Sequence, residues 1–408
     1  MSVSESLTPI YSPEQLACLS SDVEVRILRS LEELEALRPV WETWPGNRDS
    51  DIDFYQLVVR NNPESKRPHV LVVYRGGRPD AMLVGRLDST RLDRVRIGYI
   101  RVRPRVDVLY FVYGALRGNP SRENSELLVQ EICKSLAAGE ADLAYLNFLI
   151  EGSPLLQIAK TAPPAPCQDR YQSSQVHFTR SLPSSVAEFR RGLSKRLLRF
   201  LRGNKLATDY PGAVKLRCFR DASELDELVS DAEAVARTSY QRGLGVGFKD
   251  TSEERIRLQL KAMKGWLRAY VLYIGAKPAA FWIGDINDGV FGSDYLAFDP
   301  VFSRYSPGMY LMLRAMEDLY SLTSRVTSID FATGKAEYKE MLSDKSWIET
   351  SIFIFAPSIK GISLNILKSI ATYSDHMLKV VLEKVGLLHR IKKAWRQRLG
   401  SRTAEGIE

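Results

Sequence analysis

A passage that occurs twice limits this chain's fold more than any other feature. Residues 70–88, VLVVYRGGRPDAMLVGRLD, return about 200 positions later as residues 269–287, AYVLYIGAKPAAFWIGDIN. Overlaid without a gap, Tyr74 meets Tyr273, Gly76 meets Gly275, Pro79 meets Pro278 and Gly85 meets Gly284. Each copy reads as an apolar strand, a short Gly/Pro turn and a second apolar strand, which is a hairpin. The period is too long for a solenoid repeat and predicts two copies of one domain.

The repeat extends beyond the hairpin. VEVRILRS (23–30) predicts a strand, and LEELEALRPVWETW a helix with Ser30 as its N-cap and Glu33 in the capping-box position. In the second half, VKLRCFRD (214–221) precedes ASELDELVSDAEAVARTSYQR in the same way. After the hairpins the halves diverge, and Tyr145, Leu146 and Asn147 are expected to take the place of Ile329, Asp330 and Phe331. Between the copies, Phe189 to Lys205 holds seven Lys/Arg and no acid, and a helix is expected over 186–205. From Ile362 on, apolar residues spaced by three or four predict one or two amphipathic helices broken near Gly386. The expected organisation is a first domain over 23–180, a basic helical connector over 181–212, a second domain over 213–357 and an amphipathic tail over 358–408.

Composition excludes several classes. The four cysteines, Cys18, Cys133, Cys167 and Cys218, have no CxxC spacing, and the four histidines form no HxxH or HExxH pattern. A disulfide framework, a zinc site and a metal hydrolase are therefore not expected. The first twenty residues offer neither a basic n-region nor an apolar h-region, and no run is apolar enough to span a bilayer. The formal charge of +8 arises mainly in the connector and in the chain after Ser358, so anionic ligands or surfaces are the expected partners.

The chemistry is expected in residues 290–340. An apolar strand carries Asp294 and Tyr295 and leads to Asp299. Arg304, Tyr305 and Ser306 then precede Pro307, Gly308 and Met309 at a helix start. Pro is tolerated in a first helical turn, Gly admits a closely approaching ligand, and the unpaired amides and dipole there suit a pyrophosphate. The strand TSIDFATG follows with Asp330, then a second helix with Tyr338 and Lys339. The first copy has LRGNPSRENSELL at the matching place, without the Ser-Pro-Gly turn, so the second copy is expected to be active and the first to be a scaffold.

The ordered pattern FDP-x-F-x-R-Y-S-P-G (298–308) followed by DFATGKAEYK (330–339) resembles two-domain members of the GNAT acyl-CoA N-acyltransferase superfamily. More narrowly it resembles the CelD-type acetyltransferases of cellulose and exopolysaccharide biosynthesis, relatives of the FemABX peptidyltransferases. The resemblance spans about residues 23–356. It implies an α/β chain of duplicated GNAT-like folds with two mixed sheets, and acyl-CoA, above all acetyl-CoA, as co-substrate with no metal. Arg304, Tyr305, Ser306, Gly308 and Met309 would hold the cofactor, although Pro307 and Met309 depart from the usual Arg/Gln-x-x-Gly-x-Gly/Ala loop. The thioester would lie between splayed strands near 290–297 and 327–331.

Asp330 or Asp299 would take the proton of the attacking group, and Tyr338 would protonate the departing thiolate. Lys339, Tyr295 and Lys195 are the candidate acceptor-binding residues. The acceptor implied is a sugar-type or amine compound in the cytoplasm. The segment around Trp395 would suit the inner face of an anionic membrane. No RNP signature or aromatic-interleaved basic stripe points to nucleic acid. Two alternatives remain open: a FemABX-like aminoacyl transferase, and a non-catalytic scaffold of a polysaccharide synthesis complex.

Overall fold

The computed structural model describes residues 23–92, 95–97, 100–320 and 326–384. Cys18, Gly386 and Trp395 lie outside the described residues. The chain forms two compact units. Among the described residues, the first holds 23–92, 95–96, 100–173 and 350–370, and the second holds 97, 174–320, 326–349 and 371–384.

In the first unit, β1 (Val23–Leu28) leads into α1 (Leu31–Trp41). The predicted capping box is present: the Glu33 amide donates to Ser30 Oγ at 3.2 Å and the Ser30 amide to Glu33 Oε2 at 2.9 Å. Leu34, Leu37 and Trp41 then recur on the face that is buried against the sheet. The hairpin follows as β2 (Val70–Arg75) and β3 (Arg78–Arg91), then β4 (Arg105–Gly118), α2 (Arg122–Ala137) and β5 (Leu143–Ile150). β1 to β4 pair antiparallel in the order β1, β2, β3, β4, and β5 joins β4 in parallel, so the sheet is mixed.

The second unit repeats this plan. β6 (Ser173–Ser181) and a helical segment that includes α3 (Lys195–Arg202) precede β7 (Val214–Phe219), α4 (Leu225–Thr238), the hairpin β8 (Leu267–Ile274) and β9 (Lys277–Asn287), and β10 (Val290–Phe298). After α5 (Pro307–Leu319) come β11 (Ser328–Thr333), α6 (Glu337–Leu342) and β12 (Lys345–Phe355), whose residues from Thr350 on belong to the first unit. β7 to β10 pair antiparallel in order, β11 joins β10 in parallel, and β6 lies antiparallel on β11. Each unit is therefore a mixed α/β fold, and the second repeats the strand and helix plan of the first, as the duplicated hairpin predicted.

Equivalence holds at the level of single residues. The β2–β3 ladder shifts between Val73 and Tyr74, and the β8–β9 ladder between Leu272 and Tyr273, the same place in the overlay. Gly76 (φ 55°) and Gly275 (φ 66°) both turn the hairpin in the left-handed region, where other residues are strained. The ladders correct one expectation. Asp88 pairs with Val108, and Val108 with Leu143; Asn287 pairs with Val290, and Val290 with Ser328. Tyr145 is thus the counterpart of Asp330, one position away from the expected match, because register is fixed by pairing and not by loop length.

The basic run is helical, in three short pieces: Val186–Arg191, α3 and Asn204–Asp209. Gly192 ends the first, and Gly203, in the left-handed region at φ 57°, ends α3. The last described element is α7 (Ile359–Lys384), the expected amphipathic helix as far as Lys384.

Candidate active site

β10 and β11 are paired only from Val290/Ser328 to Gly292/Asp330; beyond that point their ladder stops. A cavity of about 340 Å³ opens where they part. Ser293, Asp294 and Leu296 to Phe298 line one side, and Phe331 to Thr333 line the other. Tyr338 and Lys339 of α6 and Ser239 to Gln241 complete it.

The β11 wall is held from two directions. Ala332 has φ 59° and makes a bulge, and the β6–β11 register shifts between Asp330 and Thr333. The Ala332 amide donates to Asp330 Oδ1 at 2.7 Å. Lys339 Nζ donates to the carbonyls of Thr333 (2.7 Å) and Ala332 (3.3 Å). Burial lowers the Lys339 pKa while the Asp330 charge opposes that shift. Lys339, expected to bind substrate, thus spends donors on the cavity wall.

Asp330 Oδ1 also stands 2.6 Å from Nε2 of His177, whose Nδ1 is 3.0 Å from Glu349 Oε2. His177 and Glu349 are buried, and the imidazole stacks on Trp347 with centroids 4.5 Å apart. Burial pulls the imidazole pKa down, but hydrogen bonds to the two carboxylates outweigh it and raise the value to about 9. His177 is therefore an imidazolium at neutral pH. Neither His177 nor Glu349 was legible as a site residue, because a lone His in a strand and a Glu 172 positions later share no local pattern.

Tyr338 lies in the cavity with its ring edge-on to Phe331 at 6.3 Å. Burial raises its phenol pKa to about 12, so it keeps its proton. Asp294, whose side chain was not among the expected catalytic groups, lines the cavity and is ion-paired with the buried Lys261, which also holds Asp285 at 3.1 Å.

Two expected residues serve locally. Tyr295 is turned away from the cavity and donates to Glu254 Oε2 at 3.2 Å. Asp299 caps the turn after β10, accepting from the Val301 amide at 3.1 Å.

The residues expected to meet a pyrophosphate gather at the start of α5. Ser306 is in the left-handed region (φ 51°), Pro307 opens the helix, and Met309 packs partly into the core. Arg304 is exposed, lies over the Tyr305 ring at 4.6 Å and pairs with Asp209 at 3.2 Å; Tyr305 donates to the same carboxylate at 2.6 Å. A Cβ added at Gly308 would meet only Phe298 Cδ1, at 3.5 Å, so protein packing alone does not require glycine there. Phe298 is also a cavity residue, and it links the helix start to the opening between the strands.

The basic segment flanks the same elements. Leu197 and Leu201 of α3 are buried in the core that contains Phe331, and Gly203 lies against the Tyr310 ring of α5. Lys195, Arg196, Arg199 and Arg202 remain exposed. Arg196 reaches Glu337, the residue before Tyr338, at 3.0 Å. Among the described residues, no group of three His, Cys, Asp or Glu is arranged to hold a metal ion.

In the first unit the corresponding place is aromatic. Tyr145, at the Asp330 position, lies 5.6 Å from Tyr110 and 4.7 Å from Phe353 between ring centroids. A tyrosine thus takes the position that a carboxylate holds in the second unit.

A family model described as an acetyltransferase (GNAT) domain matches residues 194–340. Among curated proteins, none matches. The solved structure of FemX is similar with a TM-score of 0.51 and 9% identity, covering 81% of this chain and 97% of that one. The C-terminal domain (DUF2156) of a candidate lysylphosphatidylglycerol synthetase from Agrobacterium fabrum is similar with a TM-score of 0.50 and 12% identity, covering 83% and 95%. At these identities the likeness concerns the fold alone. Residues 194–340 are thus similar to an acetyltransferase (GNAT) domain, and they lie within the second of two units built on one plan.

Proposed function

We propose that the second unit transfers an acyl group from acyl-CoA, with acetyl-CoA as donor, to a sugar-type acceptor of cell-surface polysaccharide assembly. One observation carries this reading. The parallel β10–β11 ladder ends at Gly292 and Asp330, and Phe298, which lines the cavity beyond it, also borders Gly308 in the Ser-Pro-Gly start of α5. Such a helix start suits a pyrophosphate, and a Cβ at Gly308 would make only ordinary contact with Phe298. Ser306, Gly308 and Met309 would hold the diphosphate, with Arg304 and Tyr305 at the edge.

An acceptor amine attacking a thioester loses a proton, and the leaving thiolate gains one. A backbone N–H of β10 beyond Gly292, where the ladder has stopped, would polarise the carbonyl. Tyr338, protonated and in the cavity, supplies the thiolate proton. Asp330, next to the divergence, or Asp299 would accept the amine proton directly or through water. The exposed cations of α3, Lys195 among them, flank α6 and suit a phosphate-bearing acceptor such as a nucleotide sugar. The aromatic cluster around Tyr145 supports a scaffold role for the first unit.

Calorimetric titration of acetyl-CoA and longer acyl-CoAs into the wild type and Gly308→Trp tests the reading. Micromolar binding that the variant loses is the expected result. No binding of any acyl-CoA by the wild type would sink it and promote aminoacyl transfer.

A further inference from the structure

Helix α7 buries polar side chains while it exposes apolar ones. Its inward face carries Asn365, Lys368 and Ser369 beside Leu364 and Ala371, all buried. Asn365 Nδ2 donates to the carbonyls of Pro166 (2.8 Å) and Gln168 (2.9 Å). Lys368 Nζ donates to Asp169 Oδ1 at 2.5 Å and to the Tyr171 carbonyl at 2.6 Å. Its outward face carries Ile359 (89% exposed), Ile366 (49%), Ile370 (56%), Tyr373 (54%) and Met377 (43%). From Ile366 on, these fall at intervals of four, three and four residues, which is one stripe of an α-helix, about 28 Å long from 359 to 377.

The helix cannot roll to bury that stripe. Turning it would strip Lys368 and Asn365 of their partners and leave Asp169 buried without its cation, a cost of several kcal/mol. Scattered exposed apolar residues need no explanation, but an aligned stripe on a helix pinned by buried polar groups marks a contact surface.

Charge selects the occupant. From Lys379 to Arg402 the sequence carries eight Lys/Arg against one Glu. An apolar stripe followed in sequence by a cationic segment matches the chemistry of a lipid surface of negative charge. A second copy would bring two such cationic segments together and be repelled. No described helix is long and apolar enough to cross a membrane, so the contact lies in the interface plane.

We infer that the outward face of α7, from Ile359 to Met377, seats this protein on an anionic lipid surface. The membrane contact expected of the Trp395 segment thereby extends to a described helix, and it does not depend on the acyl-transfer reading.

Co-sedimentation of the full chain with phosphatidylcholine vesicles, with and without phosphatidylglycerol, tests it. The wild type partitions onto the anionic vesicles and less onto the neutral ones. Ile366→Glu/Ile370→Glu loses about tenfold in partition per substitution. Ile256→Glu/Met263→Glu, which adds the same charge at exposed sites elsewhere, keeps most of the binding. Three results would overturn the inference. Equal binding by Ile366→Glu/Ile370→Glu would leave the stripe without a role. A wild-type dimer that this variant dissolves would assign the stripe to a second copy. Absence of vesicle binding, with a lowered melting temperature in this variant, would assign it to the chain's own last residues.

Discussion

His177 Nε2 lies 2.6 Å from Asp330 Oδ1, and the same oxygen accepts the Ala332 amide at 2.7 Å. One carboxylate oxygen therefore ties the β6 imidazole to the bulge that forms the cavity wall. The other side of the imidazole is held by Glu349, so the ring sits between two anions and carries its own proton charge.

A pH dependence follows. The folded value of His177 is raised from 6.5 to about 9. Its contribution to stability is full below about pH 6.5 and is lost as the pH rises through about 9. The wild-type melting temperature should fall across that window, and His177→Gln should start lower and show a flatter profile. Differential scanning calorimetry from pH 6 to pH 10 reads both (about 1.4 kcal/mol per pKa unit sets the scale). A slope equal in the two proteins would remove His177 as its source.

Lys261 holds two carboxylates, Asp285 and Asp294, in the second unit, and it is 3% exposed. Lys261→Met leaves both anions without that cation and should cost about 3–5 kcal/mol. Urea unfolding measures it, and Lys261→Arg should recover part of the loss.

Gly284 has no room for a side chain. An added Cβ would stand 2.2 Å from the Gly292 carbonyl oxygen and 2.6 Å from the Phe291 ring. Gly284→Ala should destabilise by about 1–3 kcal/mol or more, since a backbone oxygen cannot step aside cheaply. Gly308→Ala, with its nearest neighbour at 3.5 Å, should unfold within about 1 kcal/mol of wild type. Denaturation of the two variants side by side separates a packing glycine from one kept for a ligand.

Tyr338 tests the chemistry. Its hydroxyl stays protonated to about pH 12, and the ring remains packed on Phe331 without it. Tyr338→Phe should leave acetyl-CoA affinity within about twofold and lower turnover by about 10²-fold or more. A variant of unchanged turnover would exclude Tyr338 as the acid.

Much of the architecture was legible because its signals are local. The capping box of Ser30 and Glu33, the hairpin glycines and the Ser-Pro-Gly helix start each lie within a few residues of chain. Where reading failed, the deciding contact was distant. The match of Asp330 to Tyr145 depends on ladder register, and the split of the basic helix on how Leu197, Leu201 and Tyr310 pack around Gly203. The cavity lining from Ser239 to Gln241 comes from a short helix far from the predicted motif.

The sequence by itself determined the duplication, the strand and helix order, the placement of charge and the residues that resemble a cofactor loop. These follow from periodicity, turn chemistry and composition, which act over one or two turns of chain. Only the tertiary structure decided that β10 and β11 part after Gly292 and Asp330, that His177 and Glu349 anchor that point, and that α7 turns its apolar stripe outward. Those outcomes depend on hydrogen bonds and ion pairs between groups 153 to 199 positions apart, whose free energy exists only once the chain has closed around them.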